Sequence, residues 1–244
     1  MDKAGVLAVN QAYFIKANGP YATGRDLHAI SKFEYNASGV KKRSGSYLAI
    51  PGGYDYNSYT DQVYDTVIYK GPQKLLLQSK NNLGSGVKNP NYWEFDIDQE
   101  RPLKRISFVY SGGSYFAADT AMYFYDGNKR IQKIEHHNTV QGNSYLYTKT
   151  FYFNNGNLER IDGVYLQQPN TIFYSTEERF SAYDQTSNPL KDLWLWDDLF
   201  YRSLSVNNFA NYVYTRHDDK GNLLDSTNST VLLHYKADGS ISYD

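Results

Sequence analysis

Phe124-Tyr-Asp-Gly-Asn-Lys-Arg-Ile131 is the stretch that decides the fold, because an aromatic strand end runs into an Asp-Gly turn and a second strand restarts after it. Asp, Asn and Gly tolerate the positive φ of short hairpin turns, so the stretch predicts two antiparallel strands. The same pattern recurs at 33–40, 152–158, 214–223 and 234–241. The uneven spacing argues against a solenoid or propeller and favours a sheet that grows hairpin by hairpin.

Composition supports a sheet that is wet on one face. The chain of 244 residues contains 25 Tyr and no Cys, and Tyr suits a half-buried pleated surface because its ring packs while its hydroxyl reaches water. The net charge is −1 with no basic stripe, which argues against a nucleic-acid partner. No apolar run reaches membrane-spanning length, so no transmembrane segment is predicted.

Alternation of apolar and polar residues is most regular over 115–174, where strands follow one another through Asn/Asp/Gly turns. Strands that are consecutive in the sequence usually pair with each other, so the pattern of this region predicts an antiparallel meander. Earlier strands are predicted within 30–50 and at 62–70, 74–79, 92–97 and 103–110.

One segment departs from the strand pattern. Asn188 is a predicted N-cap and Pro189 a first helical residue, and apolar residues at helical spacing follow, including Leu193 and Trp196. The predicted fold class is therefore all-β, an antiparallel meander of many hairpins, curled or barrel-like, with one short helix near 189–201. No linker composition divides the chain, so a single domain over 1–244 is predicted.

Besides the hairpins, two later segments are distinctive. They are Tyr183-Asp184 with Asn188-Pro189-Leu190, and Leu204-Ser-Val-Asn-Asn208. Together they resemble uncharacterised Bacteroidetes envelope proteins with YD-repeat-like β hairpins, a DUF4595-like domain of unknown function. The resemblance is strongest over 100–244. It implies a β meander curling toward a barrel and export to the periplasm or cell surface, commonly as a lipoprotein, and it implies no reaction.

The first residues, Met1-Asp-Lys-Ala-Gly, are too short and acidic to be a signal peptide. Either the protein is cytosolic, or Met1 stands in place of a removed leader. Composition favours the second interpretation, so we expect a periplasmic or cell-surface protein that was lipid-anchored through the missing leader.

Trp194, Trp196, Asp197 and Asp198 form the first candidate ligand site, because indole rings stack on sugars and carboxylates bind hydroxyl groups. The alternative is an amphipathic helix whose Trp residues plug the sheet while its acids face water. Adjacent Asp residues give no evidence for the separated carboxylates of a glycosidase.

Tyr54, Tyr56 and Tyr59 form the second candidate ligand site, since they lie in a Gly-rich stretch where aromatic rings have less core to fill. His136 and His137 are neighbours in a predicted strand, so their side chains point to opposite faces and cannot share a metal ion. No metal site and no cofactor are predicted.

No catalytic motif is present, so the chain is predicted not to be an enzyme. The predicted function is a non-enzymatic extracytoplasmic binding or interaction module of a bacterial envelope, with a glycan or another envelope protein as partner. A structural scaffold or self-associating surface protein is one alternative, and a polysaccharide hydrolase is the second.

Overall fold

The computed structural model describes residues 6–14, 26–36, 39–45, 63–79, 91–99, 101–140, 142–167, 171–235, 237 and 241–243. Candidate residues Tyr54, Tyr56 and Tyr59 lie outside these ranges. The first strands are β1 Val6–Phe14, β2 Asp26–Asn36, β3 Gly39–Gly45, β4 Val63–Tyr69, β5 Lys74–Ser79, β6 Tyr92–Asp98, β7 Arg101–Ser111 and β8 Ser114–Tyr125. They are followed by β9 Ile131–Val140, β10 Asn143–Asn154, β11 Asn157–Gln167, β12 Thr171–Tyr183, α1 Phe200–Ser203, β13 Phe209–Asp218, β14 Leu223–Thr230, β15 Leu233–Tyr235 and β16 Ile241–Tyr243.

The described strands form one sheet, and β1 to β14 pair with their sequence neighbours in order. The predicted all-β antiparallel meander is therefore confirmed. Turn chemistry explains the tight connections: between β10 and β11, Asn155 and Gly156 have φ of 50° and 83°. A two-residue hairpin turn of type I′ needs positive φ at both positions, which these residue types adopt at low cost.

The single short helix is present but is limited to α1, and residues 189–199 form successive turns instead. Asn188 accepts a hydrogen bond from the Leu190 N–H at 2.9 Å, yet its side-chain amide also donates to the Arg202 carbonyl at 2.6 Å. Asp192 has φ of 72°, in the left-handed region, which interrupts helical geometry. The predicted start of the helix at Pro189 is therefore wrong.

The two edges of the sheet are connected by a very short link. β14 forms one edge and β15 the other, yet only Val231 and Leu232 separate them in sequence. Three Cα steps span at most about 11 Å, and neighbouring strands are about 4.8 Å apart. The sheet must therefore curl until its edges lie within about two strand spacings of each other.

Contacts across this junction agree with a curled sheet. The Val231 N–H donates to the Ala210 carbonyl of β13 at 2.9 Å, while the buried Val231 side chain packs in a cluster with residues of β2 to β6. The Tyr235 hydroxyl of β15 hydrogen bonds with Asp184 and Asn208, just after β12 and before β13. β16 pairs in parallel with β1, a departure from the all-antiparallel prediction that follows from the chain crossing between edges.

The connection from β12 to β13, residues 184–208, lies against the inner face of the curled sheet, and we call it the plug. Its Leu190, Leu193 and Leu199 are at most 2% exposed and pack with β2 to β6. Its Phe200 and Tyr201 pack with β8 to β13. The plug therefore fills the space between the two walls.

The two ends of the sheet differ in burial. At the plug end, where β8 turns into β9 and β10 into β11, inner side chains such as Ile134 and Leu158 are buried. At the opposite, open end, large apolar side chains are exposed, including Tyr115, Phe116 and Phe173. Apolar packing is thus concentrated around the plug.

The outer face is lined with charged pairs at mid-strand. They include Lys74 with Asp96, Lys133 with Glu135, Arg160 with Asp162 and Arg179 with Glu177. Such exposed pairs suit a wet face. Among the described residues, none of the helical structure has the length and apolar character needed to cross a membrane.

Candidate functional site: the inner face above the plug

The plug is fastened to β3 by a buried ion pair. The Arg43 guanidinium donates to both carboxylate oxygens of Asp198, at 2.8 and 2.5 Å, and both side chains are fully buried. Its Nε also donates to the Ser31 hydroxyl at 2.9 Å. The predicted arrangement of plug acids facing water is therefore wrong for Asp198, because a cation on the sheet wall draws it inward.

The neighbouring acid binds a different strand. Asp197 accepts a hydrogen bond from Arg105 of β7 at 2.7 Å. Asp197 and Asp198 thus point toward separate parts of the wall and do not form one carboxylate pair. The structure brings each acid to an arginine, and it does not bring the two acids together in a cleft.

The two tryptophans of this first candidate site also belong to the plug. Trp196 is 3% exposed, and its indole N–H donates to Asp65 of β4 at 2.7 Å. Trp194 is partly buried and packs edge-on against Phe95, with ring centroids 5.6 Å apart. Burial raises the pKa of the Asp65 carboxyl, although the Arg43 charge opposes this.

A third anchor lies on the far wall. Glu178 of β12 accepts hydrogen bonds from Lys149 at 3.0 Å, from Tyr201 at 3.0 Å and from Tyr212 at 2.8 Å. Lys149 also donates to the hydroxyl of Tyr201 in the plug. Because Glu178 is buried and fully engaged, its carboxylate holds plug and wall together.

Above these anchors, toward the open end, the inner face carries a group of partly exposed aromatic rings that we call the tyrosine platform. Tyr165 stacks on Tyr174 with centroids 4.9 Å apart and an interplanar angle of 10°. Tyr145 stacks on the other side of Tyr165 at 5.7 Å. Phe173 and Tyr147 complete the platform, at 5.8 and 6.1 Å from Tyr165.

A glycine makes room for this platform. A Cβ on Gly163 would lie 2.2 Å from the Thr176 hydroxyl and 2.8 Å from the Tyr147 hydroxyl. Without that Cβ, Tyr147 crosses over β11 and its hydroxyl hydrogen bonds with Thr176 at 3.2 Å. The platform therefore depends on the absence of a side chain at position 163.

A polar cleft adjoins the platform where β8 and β9 separate. The two strands pair from Tyr125 and Ile131 up to Thr120 and His137, and within the described residues they are not paired beyond that point. Ala118 is an extra residue between the pairs Ser107–Asp119 and Phe108–Ala117, and such a bulge bends a strand.

The cleft has a volume of about 590 Å³, within the range of small-ligand sites. Tyr145 is shared between the cleft and the platform. The cleft is a gap between the strands that is lined from both faces of the sheet, with His137, Thr139 and Ser144 on the outer face. The other lining residues are Ala117, Ala118, Asp119, Thr120 and Asn138.

Asp119 is the charged group of the cleft. Its Oδ2 atom lies 3.4 Å from Nδ1 of His136 and 3.7 Å from Nη2 of Arg105, which also binds Asp197 of the plug. Burial lowers the pKa of His136, so at neutral pH the ring is neutral and donates to the carboxylate. Burial opposes ionisation of Asp119, but the hydrogen bond from His136 and the charge of Arg105 outweigh it and lower its pKa.

The two adjacent histidines point to opposite faces, as predicted. His136 is buried on the inner face, whereas His137 is exposed and lies 3.6 Å from Glu135 on the outer face. In the part of the chain that the structure describes, no three Asp, Glu or His side chains are placed to hold a metal ion.

The sequence interpretation did not identify the tyrosine platform or the cleft. One signal for the platform was present: Tyr145, Tyr147, Lys149 and Phe151 alternate, so the tyrosines share the face of a core phenylalanine. The cleft had no such signal, because the separation of β8 from β9 depends on a bulge.

No protein-family model and no curated protein matches the chain. Two solved structures are similar in fold. A porin-like protein from Bacteroides uniformis ATCC 8492 has a TM-score of 0.50 and 10% identity, covering 97% of this chain and 92% of that chain. A porin-like protein from Bacteroides vulgatus ATCC 8482 has a TM-score of 0.49 and 15% identity, covering 90% and 87%.

At 10% identity, the likeness to the Bacteroides uniformis protein shows a shared fold over nearly the whole chain. It concerns architecture alone. The resemblance to YD-repeat and DUF4595-like proteins is not tested by this likeness and stays a prediction. The chain is thus similar in fold to a porin-like protein of Bacteroides.

Proposed function

We propose that the protein is a non-enzymatic binding module of a bacterial cell envelope that holds a glycan on the inner face of the sheet at its open end. The observation that carries the proposal is the tyrosine platform beside a polar cleft. A region built only for stability would fill this face with apolar side chains, as the plug end does.

The chemistry of the platform suits a sugar. Tyr165 is stacked between Tyr145 and Tyr174, so the two outer rings would offer apolar faces to the C–H groups of a pyranose, and the tyrosine hydroxyl groups would supply hydrogen bonds. Asp119 supplies a carboxylate whose Oδ2 is held by His136 and Arg105. Threonine, serine and asparagine side chains complete the cleft and match a ligand rich in hydroxyl groups.

In this proposal the residues of the first predicted site act indirectly. Trp196 and Asp198 are buried and engaged by Asp65 and Arg43, so they hold the plug rather than contact the ligand. Trp194 packs against Phe95 and Asp197 binds Arg105, so these two residues also hold the plug in place below the platform. Tyr54, Tyr56 and Tyr59 remain a separate predicted contact surface.

An envelope location is part of the proposal. It is supported by the Tyr-rich composition and by the fold shared with a porin-like Bacteroides protein. A lipid anchor is a finer expectation, and mass spectrometry of the protein isolated from membranes would test it.

A glycan-array screen tests the proposed function. We expect reproducible binding by the purified monomer and at least a tenfold weaker response for a Tyr145→Ala/Tyr165→Ala variant. Tyr152→Ala is the matched control, because Tyr152 lies on the same strand as Tyr145 and is 38% exposed on the outer face. It should bind like the wild type.

Other outcomes separate the alternatives. Binding that survives the platform variant would contradict the proposed site. A blank array together with concentration-dependent sedimentation would favour a self-associating scaffold. Release of reducing ends from a polysaccharide would favour a hydrolase. The inner carboxylates Asp119, Asp197 and Glu178 are already engaged by cations, which argues against this alternative.

A further inference from the structure

We propose that the ligand of the inner face is an anionic glycan and that Arg216 binds its carboxylate. This inference rests on the proposed function and specifies the class of glycan. It comes from an arginine at the platform that forms no ion pair with any residue that the structure describes.

Arg216 lies on the inner face of β13, opposite Thr176 of β12. Its guanidinium carbon is 5.6 Å from the centre of the Tyr174 ring, so it sits beside the platform. Its Nε is buried and has no hydrogen-bond partner. Because this Nε atom is enclosed by protein atoms, a ligand would meet the guanidinium through its terminal Nη groups.

Three other inner cations differ from Arg216, because each of the three is matched by a carboxylate. Arg43 pairs with Asp198, Arg105 with Asp197 and Lys149 with Glu178. For Arg216, no ion pair forms within the described part of the chain. Among the described residues, the platform therefore has one positive charge with no carboxylate paired to it.

The acidic residues near Arg216 on β13 and β14 do not pair with its guanidinium. Asp225 is opposite Arg216 on β14, yet it is exposed and forms no ion pair with it in the described ranges. Asp218 is committed to its own turn, accepting hydrogen bonds from the backbone N–H groups of Lys220 and Asn222 at 2.9 and 2.8 Å. Both carboxylates leave the guanidinium available to a ligand.

The chemistry of this placement points to a carboxylate on a sugar. A guanidinium presents a planar fork of donors that matches a carboxylate, and it is more weakly hydrated than an ammonium group. A uronic acid places a carboxylate on the ring that would stack on the platform. Its negative charge would then lie beside Tyr174, within reach of Arg216.

Binding of a matched ligand pair tests the proposal. The probes are a uronic-acid tetrasaccharide and the same tetrasaccharide after its carboxyl groups are reduced to alcohols. For the wild type, we expect calorimetry to show at least tenfold tighter binding of the acidic form. Arg216→Gln should abolish this preference while leaving the neutral form unchanged.

Two further variants sharpen the test. Arg179→Gln is the control, because Arg179 lies on the adjacent β12 strand but points outward and pairs with Glu177. It should keep the full preference. Asp225→Asn removes a negative charge opposite Arg216 that would repel the ligand carboxylate, and it should tighten binding of the acidic form. Equal binding of both tetrasaccharides by the wild type, or an unchanged preference in Arg216→Gln, would overturn the proposal.

An independent readout separates this proposal from the proposed function. In NMR spectra, the Nε–H signal of Arg216, identified by its loss in Arg216→Lys, should shift on addition of the acidic tetrasaccharide and not with the reduced one. An equal response to free sulfate would overturn the assignment to a glycan. If both tetrasaccharides bind through Tyr145 and Tyr165 without shifting this signal, glycan binding stands and the anionic assignment fails.

Discussion

Asp197 and Asp198 show how two adjacent residues can bind separate strands of one sheet. Asp198 meets Arg43 of β3 and Asp197 meets Arg105 of β7. Sequence reasoning identified the acidic pair but not its partners, because an arginine 155 positions away in sequence gives no local signal. The platform residues, in contrast, could have been assigned to the inner face from the alternation around Phe151.

The buried pair predicts a large effect from removing either partner. Asp198→Ala leaves a buried guanidinium without its carboxylate, and breaking such pairs typically costs about 3–5 kcal/mol. We expect this loss in urea unfolding. The double variant Arg43→Met/Asp198→Leu should recover most of it, because neither charge is then buried alone.

The control for this prediction is an exposed pair. Arg179→Ala removes the partner of Glu177 on the outer face, where ion pairs contribute roughly 0–1 kcal/mol. If Asp198→Ala were as mild as this control, the Arg43–Asp198 contact would not be the anchor that we describe.

At the scale of elements, the hairpins and the plug were predictable to different degrees. Strands β4 and β5 begin and end close to the predicted ranges 62–70 and 74–79, because alternation and turn residues are local signals. The plug was predicted as a helix, yet most of it is a series of turns. Its shape is set by contacts with both walls, which override the helical spacing of its apolar residues.

Trp196 should matter more for folding than Trp194. Trp196→Ala removes a buried ring and the indole donor of Asp65, and large-to-small changes of this kind cost about 3–5 kcal/mol. Trp194 is only partly buried, so Trp194→Ala should be milder. Thermal unfolding followed by near-ultraviolet circular dichroism measures both. Loss of glycan binding in a fully folded Trp196→Ala protein would instead support direct ligand contact.

On the scale of the whole molecule, the sheet is a packed structure at one end and an open one at the other. Burial around the plug predicts a gradient of stability along each long strand. In β10, amides near Phe151 should exchange hydrogen far more slowly than amides near Tyr145. Hydrogen exchange read by mass spectrometry would measure this, with β9 as a second strand for comparison.

Uniform exchange along β10 would contradict this gradient. The same experiment on Trp196→Ala provides a control, because weakening the plug should speed exchange at its own end and leave the open end nearly unchanged. The gradient also agrees with the proposed site, since ligand-binding surfaces often lie in the less stable part of a fold.

The two-residue link between β14 and β15 has a consequence for the order of folding during synthesis. β1 pairs with β16, which follows β15, so strands far apart in the sequence must meet to complete this part of the sheet. Contacts so distant in sequence form slowly, and an unpaired strand edge can capture other chains. Until β16 has been made, the edge of β1 that pairs with it therefore needs protection from aggregation.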